Sequence, residues 1–173
     1  MSQPDDRDPF EEFAARLAAA GGSTAMLSGL NDVVTLIREV PGAGDEEPVW
    51  ISHSVDAAFP GLAGVLRDAG IAHQLAAGAS EVRDAALGVT VAELAIVETG
   101  SVLLNEPTLA DRSVSLMTER LIVLCPADKL VPSLDEASPV LRRIAANGPS
   151  YATFVTGPSR TADIERELAI GVQ

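Results

Sequence analysis

PVWISHSVDAAFPGLAGVLRDAGIAHQL, from Pro48 to Leu75, decides the fold. The apolar run that begins at Pro48 and continues through ISHS has the length and composition of a short strand. FPGLAGVLRDAG then carries apolar residues at helical spacing and is closed by Gly70, and Ile71 to Leu75 reads as the next strand. Strand, helix and strand in that order are the signature of a parallel sheet with helices on its faces. The expected architecture is therefore an α/β three-layer domain built on a mixed sheet.

Toward the N-terminus, Asn31 is positioned to cap a helix over DVVTLIREV that stops at Pro41-Gly42, and GAGDEEP is a polar turn. Asp8-Pro9-Phe10-Glu11 reads as a cap, a proline at the first helical position and a glutamate closing a capping box, so a helix is expected from Pro9 to Ala20. Residues 1–22 then form an alanine-rich arm, free to pack on its own domain or on a neighbouring subunit, and residues 23–173 form the α/β domain. Toward the C-terminus, ASEVRDAAL is a short helix or loop. Leu94–Glu98 and Ser101–Leu104 are strands joined by a Thr99-Gly100 hairpin turn. Polar residues from Asn105 to Ser113 make the longest loop, and LIVLCP is a buried strand. A helix opened by Ser133 or Asp135 runs to Gly148-Pro149, and YATFVTG is the last strand.

Composition narrows the function. The length of 173 residues suits one domain, and although 47% of the residues are hydrophobic, no apolar run is long enough to cross a bilayer. The acidic start, MSQPDDRDPFEEF, has no basic n-region, and cytoplasm is the expected location. A net charge of −13 with scattered basic residues disfavours nucleic acid. Cys125 is the only cysteine, so this chain alone builds neither a disulfide nor an iron–sulfur cluster. His53 and His73, the only histidines, lack metal-ligand spacing and read as strand-edge or core residues; no metal is expected. No phosphate loop or dinucleotide fingerprint is present, and Gly42-Ala43-Gly44 lies in an acidic loop after a helix.

The candidate site residues fall in three stretches. In VTGPSRTADIE, Val155 to Glu165, an apolar strand breaks at Gly157-Pro158 and is expected to restart as a helix whose unpartnered N–H groups, with Ser159, Arg160 and Thr161, would hold a phosphate or carboxylate. The alternative is a helix that is simply well capped. Glu98 falls on the strand face of Leu94 and Ile96, as an acid or base at an apolar rim or as a structural carboxylate, while Thr99, Gly100 and Ser101 offer hydroxyls and a close backbone approach. Arg112 and Ser113 lie in the polar loop, either as a lid over that turn or as solvated residues.

Together with GVTVAELAIVETGSVLL (Gly88 to Leu104) and DRSVSL (Asp111 to Leu116), the Val155–Glu165 stretch resembles the lactate-utilization protein C family, of the LUD-domain group. The likeness covers the C-terminal half. It implies the topology of the NagB/RpiA/CoA-transferase-like folds. It also implies a role as the non-cluster member of an L-lactate oxidation system beside an iron–sulfur subunit, with a small carboxylate or phosphate as ligand. Two other functions fit the residues: an independent enzyme on a sugar phosphate or acyl-CoA with Glu98 as base or nucleophile, and a purely structural subunit. The family usually continues beyond Gly171-Val172 with another strand, which implies a truncated chain or a missing strand here.

Overall fold

A computed structural model describes residues 8–148 and 150–158, and the backbone of 160–162 and 168–170. Helix α1 (Pro9–Ala19) starts as its sequence requires, with the Asp8 carboxylate accepting from the Phe10 N–H at 3.0 Å and Pro9 in the first turn. Helix α2 (Leu30–Arg38) begins two residues earlier than Asn31 as a cap implies. Its cap is Gly29, because the Asp32 carboxylate reaches back to the N–H groups of Ser28 and Gly29, at 2.6 and 3.2 Å.

Strand β1 (Val49–Ile51) leads into a helix that the sequence reading missed, α3 (His53–Ala58), and then into α4 (Leu62–Asp68) and β2 (His73–Leu75). The short α5 (Ala79–Val82) precedes the long central strand β3 (Gly88–Ile96), and β4 (Ser101–Asn105) returns beside it. The turn between them is four residues, Val97 to Gly100, not two. Next come α6 (Leu109–Met117), β5 (Leu121–Leu124), β6 (Leu130–Val131), α7 (Ser138–Ala146) and β7 (Ala152–Val155). A 3-10 turn at Leu134–Ala137 takes up the start expected for α7, so the helix proper opens at Ser138.

The seven strands form one mixed sheet in which β1, β2, β5 and β6 run parallel to β3 or its neighbour, and β4 runs against both β3 and β7. Helices cover both faces. On one face Val49 and Ile51 pack with Val33, Ile37, Leu62 and Leu66; on the other Trp50 packs with Val82 and Val114. Further along β3, Leu94 and Ile96 meet Ala137 and Ile144, while Ala95 and Val97 meet Phe13 of α1. Helix α1 thus packs on the sheet of its own chain.

β3 is longer than its neighbours, and this creates the feature on which the site depends. Its first half is flanked by β1 and β5, its second half by β4 and β6. The register places Ile51 opposite Val89 and Leu104 opposite Ala92, so the C-terminal ends of β1 and β4 approach each other along β3 with a bulge between Ala92 and Leu94. Both chains must leave the sheet there: β1 into α3, β4 into α6. Crevices where neighbouring strands part at their carboxyl ends are the usual ligand sites of open α/β sheets.

Candidate functional site at the meeting ends of β1 and β4

Polar side chains are gathered at this parting point. Ser52, immediately after β1, is fully buried; its hydroxyl bonds to Ser54 Oγ at 2.8 Å and to the buried Thr90 Oγ1 of β3 at 3.1 Å. Across the gap, Thr108 caps α6 by accepting from the Asp111 N–H at 3.0 Å. The Asp111 side chain, 4% exposed, accepts from Thr108 Oγ1 at 2.6 Å and from the His53 N–H at 2.7 Å. His53 Nδ1 lies 3.2 Å from the same oxygen. A buried carboxylate on one imidazole nitrogen fixes the ring and its tautomer and leaves Nε2 to act outward. The His53 side chain is 52% exposed.

Beneath α6 lies Glu106, the residue after β4, only 2% exposed. Burial pushes its carboxyl above the usual carboxylate range. A hydrogen bond with Ser115 and the Arg112 charge pull the other way, and Asp111 adds to the upward shift. Its Oε1 has no hydrogen-bond partner. Orphaned buried oxygens are uncommon in folded proteins. Among the described residues no cluster of three metal-ligating side chains occurs, and no helix is long and apolar enough to cross a membrane.

Among the described residues, those singled out from sequence lie at separate places in the fold. Glu98 is not on the covered face of β3. The strand ends at Ile96, so the period-two count does not extend to Glu98, which sits exposed in the turn, where its carboxylate accepts from the Leu134 N–H at 3.1 Å. Thr99 is exposed beside it. Gly100, at φ +65°, makes its close approach to protein: a Cβ there would stand 2.8 Å from the backbone nitrogen of Leu17 in α1. Gly157, at φ +68°, is likewise pressed against the Ala20 carbonyl, 2.5 Å from an added Cβ. Ser101 joins this group through a 2.5 Å hydrogen bond to Thr156 Oγ1. Gly100, Ser101 and Gly157 therefore come together, and α1 covers them.

Arg112 and Ser113 lie at the opposite end of β4, on a helix and not in a loop. The Ser113 hydroxyl donates to the Ala110 carbonyl at 2.7 Å, Arg112 Nε donates to the Thr108 carbonyl at 3.3 Å, and the guanidinium lies 5.1 Å from the Tyr151 ring centre. The helix start expected after Pro158 is also corrected. Arg160–Ala162 is a strand, β8, paired antiparallel with β9 (Leu168–Ile170), and not the first turn of a helix. Ser159 and the side chains of Arg160 and Thr161 lie outside the described residues.

His53, Asp111 and Glu106 were not selected from sequence. His53 and Asp111 are separated by 58 positions, and only the sheet brings them together. One signal was available: polar Asp111 and Ser113 on the inner side of a helix mark an interior that is not purely apolar.

The LUD domain model matches residues 70–173. The chain is 38% identical over 95 residues to Lactate utilization protein C of Bacillus subtilis (strain 168), a match covering 53% of this chain and 40% of that protein. It is 36% identical over 104 residues to Lactate utilization protein C of Bacillus velezensis, covering 58% and 43%. The matched stretch thus spans about two-fifths of these relatives. The crystal structure of a DUF162 family protein from Deinococcus radiodurans superposes with a TM-score of 0.66 over 86% of each chain at 17% identity, a likeness of fold. With the model matched over more than half its length, the chain belongs to the LUD domain family.

Proposed function

We propose that this chain is the cluster-free component of a cytoplasmic L-lactate utilization system, holding a small anionic ligand beside an iron–sulfur protein that takes the electrons. The observation that carries this reading is the similarity of its C-terminal half to proteins named Lactate utilization protein C. The cysteine content supports the division of labour. Oxidation of lactate to pyruvate releases two electrons, and a cluster needs several thiolates, whereas this sequence has Cys125 alone, its thiol pushed up to about 11 chiefly by burial.

Two measurements test the reading. Deleting the gene should abolish growth on L-lactate and leave growth on pyruvate intact, and affinity purification of the tagged chain should recover a cysteine-rich iron–sulfur protein. Normal growth on lactate by the deletion strain would overturn it.

A further inference from the structure

We infer that the cavity between α5, α6 and the residues leading into β7 binds a monocarboxylate with a compact apolar body, its charge held by Arg112 against the Tyr151 ring. The site stands apart from the His53–Asp111 cluster and does not depend on the lactate reading above.

The cavity has a volume of about 170 Å³ and opens to solvent. Its walls are Ala79 of α5 and Leu109, Leu116 and Met117 of α6, together with Arg112 and Tyr151. Leu109 and Leu116 are two helical turns apart, so they stand on one face of α6 with Arg112 between them. They are 63% and 53% exposed, and Tyr151 is 41% exposed. Single exposed apolar residues are ordinary, but three that border one cavity make a patch that a bound apolar group would cover.

Arg112 decides the charge of that group. Among the described residues it is the only charged side chain lining the cavity. It is held from two directions: Nε donates to the Thr108 carbonyl at 3.3 Å, and the guanidinium carbon lies 5.1 Å from the Tyr151 ring centre. Tyr151 is anchored in turn through its carbonyl, which accepts from the Glu106 N–H at 2.8 Å. The chain carries a net charge of −13, yet among the described residues no carboxylate comes within 4.0 Å of this guanidinium. Glu106 feels the Arg112 charge but is buried beneath α6 without pairing to it, and Asp111 accepts from Thr108 and His53. The terminal guanidinium nitrogens are left for a ligand, and their planar fork matches the two oxygens of a carboxylate. The Ser113 hydroxyl is spent on the Ala110 carbonyl, so the body that follows the carboxylate meets chiefly apolar walls. A volume equal to that of about six waters in the liquid limits this body to a single ring or a short branched chain.

Tyr151 is the only tyrosine, so the full chain grown with ring-labelled tyrosine gives one ring signal by NMR, and that signal reports on this cavity alone. The probes are sodium benzoate, sodium acetate, which lacks the body, and benzyl alcohol, which lacks the charge. The expected result is a saturable shift of the Tyr151 ring with benzoate at about 1 mM, and binding of the other two weaker by about tenfold or more. Arg112→Gln should weaken benzoate binding about tenfold, whereas Arg120→Gln, outside the cavity, should bind as the parent does. Should Arg112→Gln fail to fold, the three probes on the parent protein decide alone. A Tyr151 ring unmoved by benzoate, or equally sensitive to benzyl alcohol, would overturn the assignment. So would a ring signal that follows protein concentration and ignores benzoate, the sign of a second copy on this face. Growth of a deletion strain on lactate bears on the pathway alone, so the two readings fail separately.

Discussion

Replacing Gly100 by alanine should loosen α1 from the sheet. At φ +65° an alanine sits in left-handed backbone, which costs about 1–2 kcal/mol. The new methyl would also stand 2.8 Å from the Leu17 nitrogen and 2.9 Å from the Arg16 carbonyl carbon, helix backbone that moves only with the whole of α1. Shifting α1 draws Phe13 away from Ala95 and Val97, and losing part of the roughly 1.5–3 kcal/mol that burying a large apolar side chain contributes brings the total to about 2–4 kcal/mol. Urea unfolding followed by the fluorescence of the buried Trp50 measures this, and limited proteolysis within α1 reports where the loosening occurs. Gly64→Ala is the control, since a methyl there meets nothing within 4 Å inside α4; it should be neutral or slightly stabilising. A Gly100→Ala protein within about 0.5 kcal/mol of the parent, with α1 equally protected, would refute the view that this glycine exists for helix packing.

Other perturbations follow from the same geometry. Because folding raises the Glu106 carboxyl above its ordinary 4.5, the stability it allows is complete below that value and is lost as pH rises through the folded value. Glu106→Gln should flatten this decline, and denaturation midpoints across that range that fall equally in both proteins would contradict it. Removing the α6 cap with Thr108→Ala should cost about 1–2 kcal/mol and free the Asp111 carboxylate, seen as greater mobility of the His53 ring by NMR. The Cys125 thiol, pushed up to about 11, should react with iodoacetamide at neutral pH far more slowly in the native protein than in urea; equal rates would count against its burial. Arg143→Ala, which breaks a 2.6 Å but largely exposed pair with Glu93, should change stability by less than about 1 kcal/mol in thermal melts.

Elements that carry their own signals were legible in the sequence. Asp8-Pro9 fixes the start of α1, Gly70 closes α4 at φ +75°, and the apolar runs of β3, β4 and β5 show as strands. What failed were inferences that needed a partner far along the chain. The strand β3 stops at Ile96 and the chain turns, so Glu98 moves from an apolar rim to a solvent turn held by the distant Leu134 N–H. Helix α6 was hidden because its inner side carries Asp111 and Ser113, which apolar periodicity scores as loop. Glu106, just before Pro107, has the composition of a solvated turn, and only β7 and α6 packing around it makes it buried. Gly100 reads from sequence as permitting close approach to a ligand or as a turn glycine, and the group that approaches it in the structure is α1. The strand pairing of 160–162 depends on Leu168–Ile170, a contact that capping residues alone do not signal.

Growth of the deletion strain tests the assignment to L-lactate utilization most directly. The expected result is no growth on L-lactate as sole carbon source with normal growth on pyruvate; normal growth on L-lactate would contradict it.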